Sequence, residues 1–113
     1  MKVTQNRALP KSRLAEMEHI GALLARLRIA RHMTQAEAAV RAGLSRNTAY
    51  RMEKGDAGLA IGQVLRYLEA IAPGQSLLDL LREADPALAA LESGERRQRS
   101  RGLSAQEREK LDF

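Results

Sequence analysis

The stretch Thr34 to Gly55, TQAEAAVRAGLSRNTAYRMEKG, decides the fold. Thr34 followed three residues later by Glu37 has the spacing of a capping box, which opens a helix by satisfying its first N–H groups. Gly43 ends that helix, because glycine adopts the left-handed conformation of a helix C-terminus without steric cost. Ser45 caps a second helix at once, and Gly55 halts it. Gln35, Ala39 and Gly43 fall four residues apart, with Ala39 small enough for two helices to approach at their crossing. Leu44, Ala49 and Met52 are expected to face inward. Arg46, Asn47, Tyr50, Arg51 and Lys54 lie on the opposite face of the second helix.

Working outward, Pro10 and Ser12 punctuate the start, and Ser12 reads as an N-cap. Leu14, Met17, Ile20, Leu23, Leu24 and Leu27 then recur at helical spacing to about Arg31. Beyond a loop from Gly55 to Gly58, residues Ile61, Val64, Leu65, Leu68 and Ile71 mark one face of another amphipathic helix, ended by Pro73-Gly74. Ser76 and Asp79 open a short Leu-rich helix. Asp85-Pro86 starts a further piece, expected to stop near Gly94. The polar run Glu95 to Gly102, ERRQRSRG, reads as a flexible linker. Ser104 and Glu107 make a capping pattern before a short terminal helix, which has Leu103, Leu111 and Phe113 to bury. The expected domains are a basic arm over 1–12, a helical domain over 13–84 with its motif at 34–55, and an extension over 85–113.

Composition agrees with an all-α chain. Hydrophobic residues make up 44% and aromatics 3%, so the core must be built from Leu, Ile, Ala and Met. There is no Cys, which excludes disulfides and thiolate metal sites. No apolar run reaches the roughly 20 residues that span a bilayer, and Met1 to Arg13 has no signal-peptide core, so a cytoplasmic protein is expected. The net charge of +5 is unevenly distributed: residues 16–55 carry +3, and residues 56–94 carry −4. A basic first half beside an acidic second half gives one face for a polyanion and another for a different neighbour.

The outward side chains suit double-stranded DNA. Arg can bond in bidentate fashion to guanine and Asn to adenine, and a helix held rigidly by a partner helix can carry them into the major groove. The N-terminus at Ser45 adds backbone donors for phosphate. The competing reading of these residues is a solvated helix face. His19 and His32 have no ligand cluster near them in sequence, and Ser45 has no His and acid partners, so neither a metal site nor a nucleophile is expected. No cofactor and no enzyme activity are expected. The Arg-rich stretch Arg96, Arg97, Arg99, Arg101 reads as a solvated linker, an arm on DNA phosphates or a strip for an acidic partner. The N-terminal Lys2, Arg7, Lys11 and Arg13 carry the same alternatives.

Gln35, Ala39, Gly43-Leu44-Ser45, Arg46-Asn47-Thr48 and Glu53-Lys54-Gly55 together resemble the lambda-repressor-like, or Xre-type, helix-turn-helix family. The resemblance spans roughly Ile20 to Leu81 and implies a five-helix DNA-binding domain with short N- and C-terminal extensions. It implies base contacts from Arg46, Asn47 and Arg51, with Tyr50 beside them, over phosphate or a thymine methyl. Gln35, Ser45, Thr48, Lys54 and Arg31 are the expected phosphate contacts, and Arg28 with Glu53 a structural ion pair. The chain departs from the family pattern at Ala49, where Ile or Val is usual, at Tyr50, and in the base-free loop Asp56-Ala57-Gly58. The implied function is a homodimeric repressor on an inverted repeat, with Ile61 to Leu91 as the dimer surface. In its size and short charged tail the chain is also similar to HipB-type antitoxins, which implies a co-encoded toxin protein as the alternative partner.

Overall fold

Thr34, Ser45 and Ser76 each sit at the start of a helix, their hydroxyls accepting the N–H of Glu37, Thr48 and Asp79. The computed structural model describes residues 4–83 and 85–111, with side chains as far as residue 99. Every regular element among the described residues is helical: α1 (Gln5–Ala8), α2 (Lys11–Ala30), α3 (Gln35–Ala42), α4 (Arg46–Glu53), α5 (Ile61–Ile71), α6 (Leu77–Leu81) and α7 (Pro86–Leu111). Ser12 does not cap: α2 begins at Lys11, two residues earlier than a Ser12 cap would place it, with Pro10 in the N-cap position and no side-chain cap bond. Gly43 ends α3 at φ 68°, and its N–H bonds back to Val40.

The core lies where α2, α3, α4 and α5 meet. Small residues on the two short helices, Ala38, Ala39, Ala42 and Ala49, are buried beside Leu23, Leu24 and Leu27 of α2. Large side chains from α5 complete the packing: Tyr67, Leu68 and Ile71 are each almost wholly removed from water. Burial of each is worth about 1.5–3 kcal/mol. Ala49 is wholly buried in this core, and so is Tyr67 of α5, which the apolar pattern of α5 does not include. Arg66, also on α5, reaches back to the carbonyl oxygens of Ala42 and Gly43 at 3.1 and 2.7 Å. It satisfies carbonyls that the end of α3 leaves open and so ties down the turn between α3 and α4.

Two glycines let α2 and the end of α4 touch backbone to backbone. A Cβ on Gly21 would stand 2.6 Å from the Gly55 nitrogen and 2.7 Å from the Met52 oxygen; one on Gly55, at φ 75°, would stand 2.5 Å from the Met17 oxygen. A glycine inside a helix pattern is the sequence mark of such an approach.

The chain after Asp85 differs from expectation. No break occurs near Gly94, and Glu95 to Gly102 is not a linker, because α7 continues through it to Leu111. Asp85 opens the helix by accepting the Ala87 N–H, and Pro86 suits the first helical position. The Arg, Glu and Gln residues of the supposed linker are strong helix formers. Glu92 with Arg96, and Glu95 with Arg99, stand four apart, a spacing that adds a few tenths of a kcal/mol per pair. Those gains offset only part of the roughly 1 kcal/mol that Gly94 and Gly102 each cost, so docking must supply the rest. Leu88 anchors α7 in the core, and Arg26 of α2 holds Glu95 at 2.9 Å. Ser104 and Glu107 stand inside α7 rather than before a new helix. The side chains of Arg101, Leu103, Ser104, Glu107 and Leu111, together with Lys2 and Phe113, lie outside the described residues.

Gly21→Ala should therefore lower stability by about 1–3 kcal/mol through overpacking, despite alanine's better helix propensity. Gly94→Ala, with nothing within 4 Å of the added carbon, should raise it by roughly 0.5–1 kcal/mol. Thermal unfolding followed by circular dichroism checks both, and a stable Gly21→Ala variant would contradict the close approach.

Candidate nucleic-acid interface

The outer face of α4 is built from its own cap and a buried brace behind it. Ser45 accepts from Thr48 N–H at 3.0 Å, and the two hydroxyls also bond to each other at 2.8 Å. Ala49 and Met52 are buried, whereas Arg46, Asn47 and Tyr50 are exposed. Lys54 is exposed too, with its ammonium 5.4 Å from the centre of the Tyr50 ring, within cation–π range. The structure thus gathers Arg46, Asn47, Tyr50 and Lys54 on one accessible surface. Ser45 and Thr48 join it at the helix start, where the first backbone N–H groups have no partner within the helix.

Behind that surface stands Glu53. Arg28 grips its carboxylate with two bonds, Nε to Oε2 at 2.7 Å and Nη2 to Oε1 at 3.0 Å. Gln35 donates to Oε1 at 3.1 Å, and the Tyr67 hydroxyl donates to Oε2. A third nitrogen of Arg28 bonds the Met33 carbonyl at 2.8 Å. Arg28 and Glu53 form the ion pair expected of them, and Gln35 and Tyr67 join it from α3 and α5. Burial acts to raise the Glu53 carboxyl, but the bonds from Arg28 and Tyr67 outweigh it and hold the group below the usual carboxylate range. The Tyr67 hydroxyl is pushed above its ordinary value, first by burial and then by Glu53.

The remaining expected residues are otherwise engaged. Arg51 is half-buried and bonds through Nε to Asp56 Oδ2 at 2.7 Å. Arg31 is bonded at 2.5 Å to Asp85, which is 3% exposed and also accepts from Gln75. Arg31 thus ties the end of α2 to the start of α7. Asn6, Leu14, Glu18, Tyr50, Arg51 and Lys54 line an open groove of about 410 Å³ with Gly55 and Asp56. Four contributors went unseen in the sequence: Gly21, Arg66, Tyr67 and Asp56. Two left a local signal: Gly21 as a glycine inside a helical pattern, and Asp56 because Asp-x-Gly is the pattern of a side chain turning back to the backbone; Asp56 accepts the Gly58 N–H at 2.7 Å.

A family model described as a helix-turn-helix domain matches residues 19–81, more than half of the chain. The chain belongs to this helix-turn-helix family. Its matched span runs from within α2 to the end of α6. No curated protein and no solved structure matches the chain. A helix-turn-helix domain points to a DNA-binding regulator. Among the described residues no helix is long and apolar enough to cross a membrane, and no cluster of His, Asp and Glu is arranged to hold a metal ion.

Because the folded Glu53 carboxyl lies below its unfolded value of about 4.3, its stabilisation is full above that pH and is lost as pH falls through the folded value. Asp85 is lowered as well, its burial outweighed by bonds from Arg31 and the Ala87 N–H, and contributes with the same sign. Glu53→Ala should cost on the order of 3–5 kcal/mol at neutral pH by leaving Arg28 half-buried without its anion. Glu53→Gln should lower Tm at pH 7 and flatten, without abolishing, its fall below pH ~4.5. Melting curves across the acid range check the sign, and an unchanged acid slope would remove Glu53 from this role.

Proposed function

We propose that this protein is a sequence-specific double-stranded DNA-binding repressor that acts as a homodimer on an inverted-repeat operator. One observation carries the reading: Arg46, Asn47, Tyr50 and Lys54 stand exposed on a helix whose opposite face is locked into the core. A groove-reading helix needs that combination of rigid support and free donors. Arg46 and Asn47, one and two residues after the cap, are the foremost base contacts, with Tyr50 and Arg51 following one turn later. Gln35, Ser45, Thr48 and Lys54 flank them for phosphate. Arg31, bonded to buried Asp85, is the weakest member of the phosphate set. The chain is read as a binding protein, with no catalytic group assigned.

Two copies follow from the small footprint of one recognition helix, which reads too few base pairs to select a site in a genome. Ile61 and Leu65 of α5, with Leu78 and Leu81 of α6, are exposed apolar side chains in the acidic half. Pairing there would keep like charge away from DNA. An occupied operator overlapping a promoter would exclude polymerase sterically. In the antitoxin alternative, a co-encoded toxin rather than a second copy would cover that half.

Footprinting on the region upstream of its own gene should reveal two half-sites in inverted orientation. The logarithm of affinity should fall with the logarithm of salt at a slope of about 0.9 per phosphate neutralised. Arg46→Ala should weaken specific binding by roughly 1–3 kcal/mol and relax preference at one position per half-site. Salt-insensitive binding indifferent to that change would defeat the DNA reading. In sedimentation, Leu65→Lys should shift the protein toward monomer; a wild-type protein monomeric on and off DNA would defeat the homodimer.

A further inference from the structure

The Asp56 carboxylate has two oxygens and two separate tasks. Oδ1 accepts the Gly58 N–H at 2.7 Å, closing a turn that fixes the carboxylate to the backbone just after α4. Oδ2 accepts from Arg51 Nε at 2.7 Å. Only the Nε edge of the guanidinium is used in this way, and among the described residues the Nη groups make no hydrogen bond. Gly58 leaves room for this arrangement: a Cβ there would stand 3.1 Å from Asp56 Oδ1 and 3.5 Å from Arg51 Nη2.

We infer that Asp56 is a specificity-determining positioning residue, which holds Arg51 by Nε so that its two Nη groups are presented end-on to a guanine. The inference rests on the DNA-binding reading and gives a function to a loop whose lack of bases otherwise looks like a missing phosphate grip. Bidentate recognition of guanine O6 and N7 needs two parallel N–H donors in a fixed orientation. An unrestrained Arg reaches that orientation from many rotamers and gives up their entropy on binding. One held at Nε gives up less, because the carboxylate has already oriented the plane. The same pairing sets a second property. Asp56 is a negative charge beside the DNA-facing surface, so it weakens attraction to phosphate generally while sharpening choice at one base pair. Specificity and non-specific affinity are thereby set against each other at one residue. A purely structural role would not separate them.

The test is selection from a randomised duplex DNA pool using the full chain and three variants: Arg51→Ala, Asp56→Ala and Asp56→Asn. Asparagine keeps an oxygen for the Gly58 N–H but presents an amide, itself a donor, to Arg51 Nε, so the turn survives and the orientation does not. The position whose guanine preference disappears in Arg51→Ala is the one Arg51 reads. Both Asp56 variants should flatten that same position, with the ratio of guanine to other bases falling at least about fivefold. Their affinity for a single non-specific duplex at low salt should be equal or higher, opposite in direction to the Arg51→Ala loss. Retention of full guanine preference in both Asp56 variants overturns the inference. So does an even weakening at every position together with a lowered Tm, and so does an Arg51→Ala profile identical to wild type. If wild type enriches no motif, the DNA reading fails first and the inference falls with it.

Discussion

Glu53 is the carboxylate on which the arrangement of helices depends. It ends α4, yet its donors come from α2, α3 and α5, so one buried anion fixes four helices relative to one another. An isolated ionised carboxylate in that position would be strongly disfavoured. Arg28 supplies the countercharge in bidentate form, the geometry in which guanidinium and carboxylate fit best. Tyr67 and Gln35 occupy the remaining lone pairs. With every lone pair in use, any rotation of α4 about its axis must break several bonds together. The outward face of α4 is therefore fixed because its inward face cannot turn.

The Gly21–Gly55 contact acts in the same place by a different means. Hydrogen bonds set the rotation of α4, and the absence of two side chains sets its distance from α2. Met52 and Glu53 offer their carbonyl oxygens to the spot where a Gly21 Cβ would otherwise stand. Close contact there shortens the distance that Arg28 must bridge to Glu53. The steric and electrostatic constraints thus reinforce each other, and both act behind the exposed face of α4.

The legibility of this chain follows the range of the interaction. Thr34, Gly43, Ser45, Gly55 and Ser76 act within one helical turn, so their capping pattern is visible as short spacing, and α3, α4 and α6 lie where that spacing puts them, while α5 lies where its apolar periodicity puts it. The Arg28–Glu53 pair is long-range and was legible through family resemblance, not through spacing. Tyr67 and Arg66 are long-range as well, and nothing local distinguishes them from other residues of an amphipathic helix. Gly21 carried a weak mark that leucine periodicity masked. The error at Glu95–Gly102 has another cause. Polar composition suggests flexibility, whereas Glu, Gln and Arg are also good helix formers, and docking through Leu88 and the Arg26–Glu95 pair supplies the start that a short helix lacks alone.

The arginines of this chain show how burial of the partner decides which of them remain available. Arg28 faces a carboxylate with 8% of its side chain exposed, and Arg31 faces one with 3%. Withdrawing either would strand a buried anion at a cost of about 3–5 kcal/mol, more than a single phosphate contact returns. Both are fixed in the scaffold. Arg51 faces Asp56, whose side chain is 23% exposed, and an exposed pair of that kind contributes about 0–1 kcal/mol. Arg51 is tethered without being buried in the scaffold, and among the described residues no carboxylate pairs with Arg46. Sequence position alone ranks Arg31, Arg46 and Arg51 as equals near the motif; depth of the opposing acid separates them.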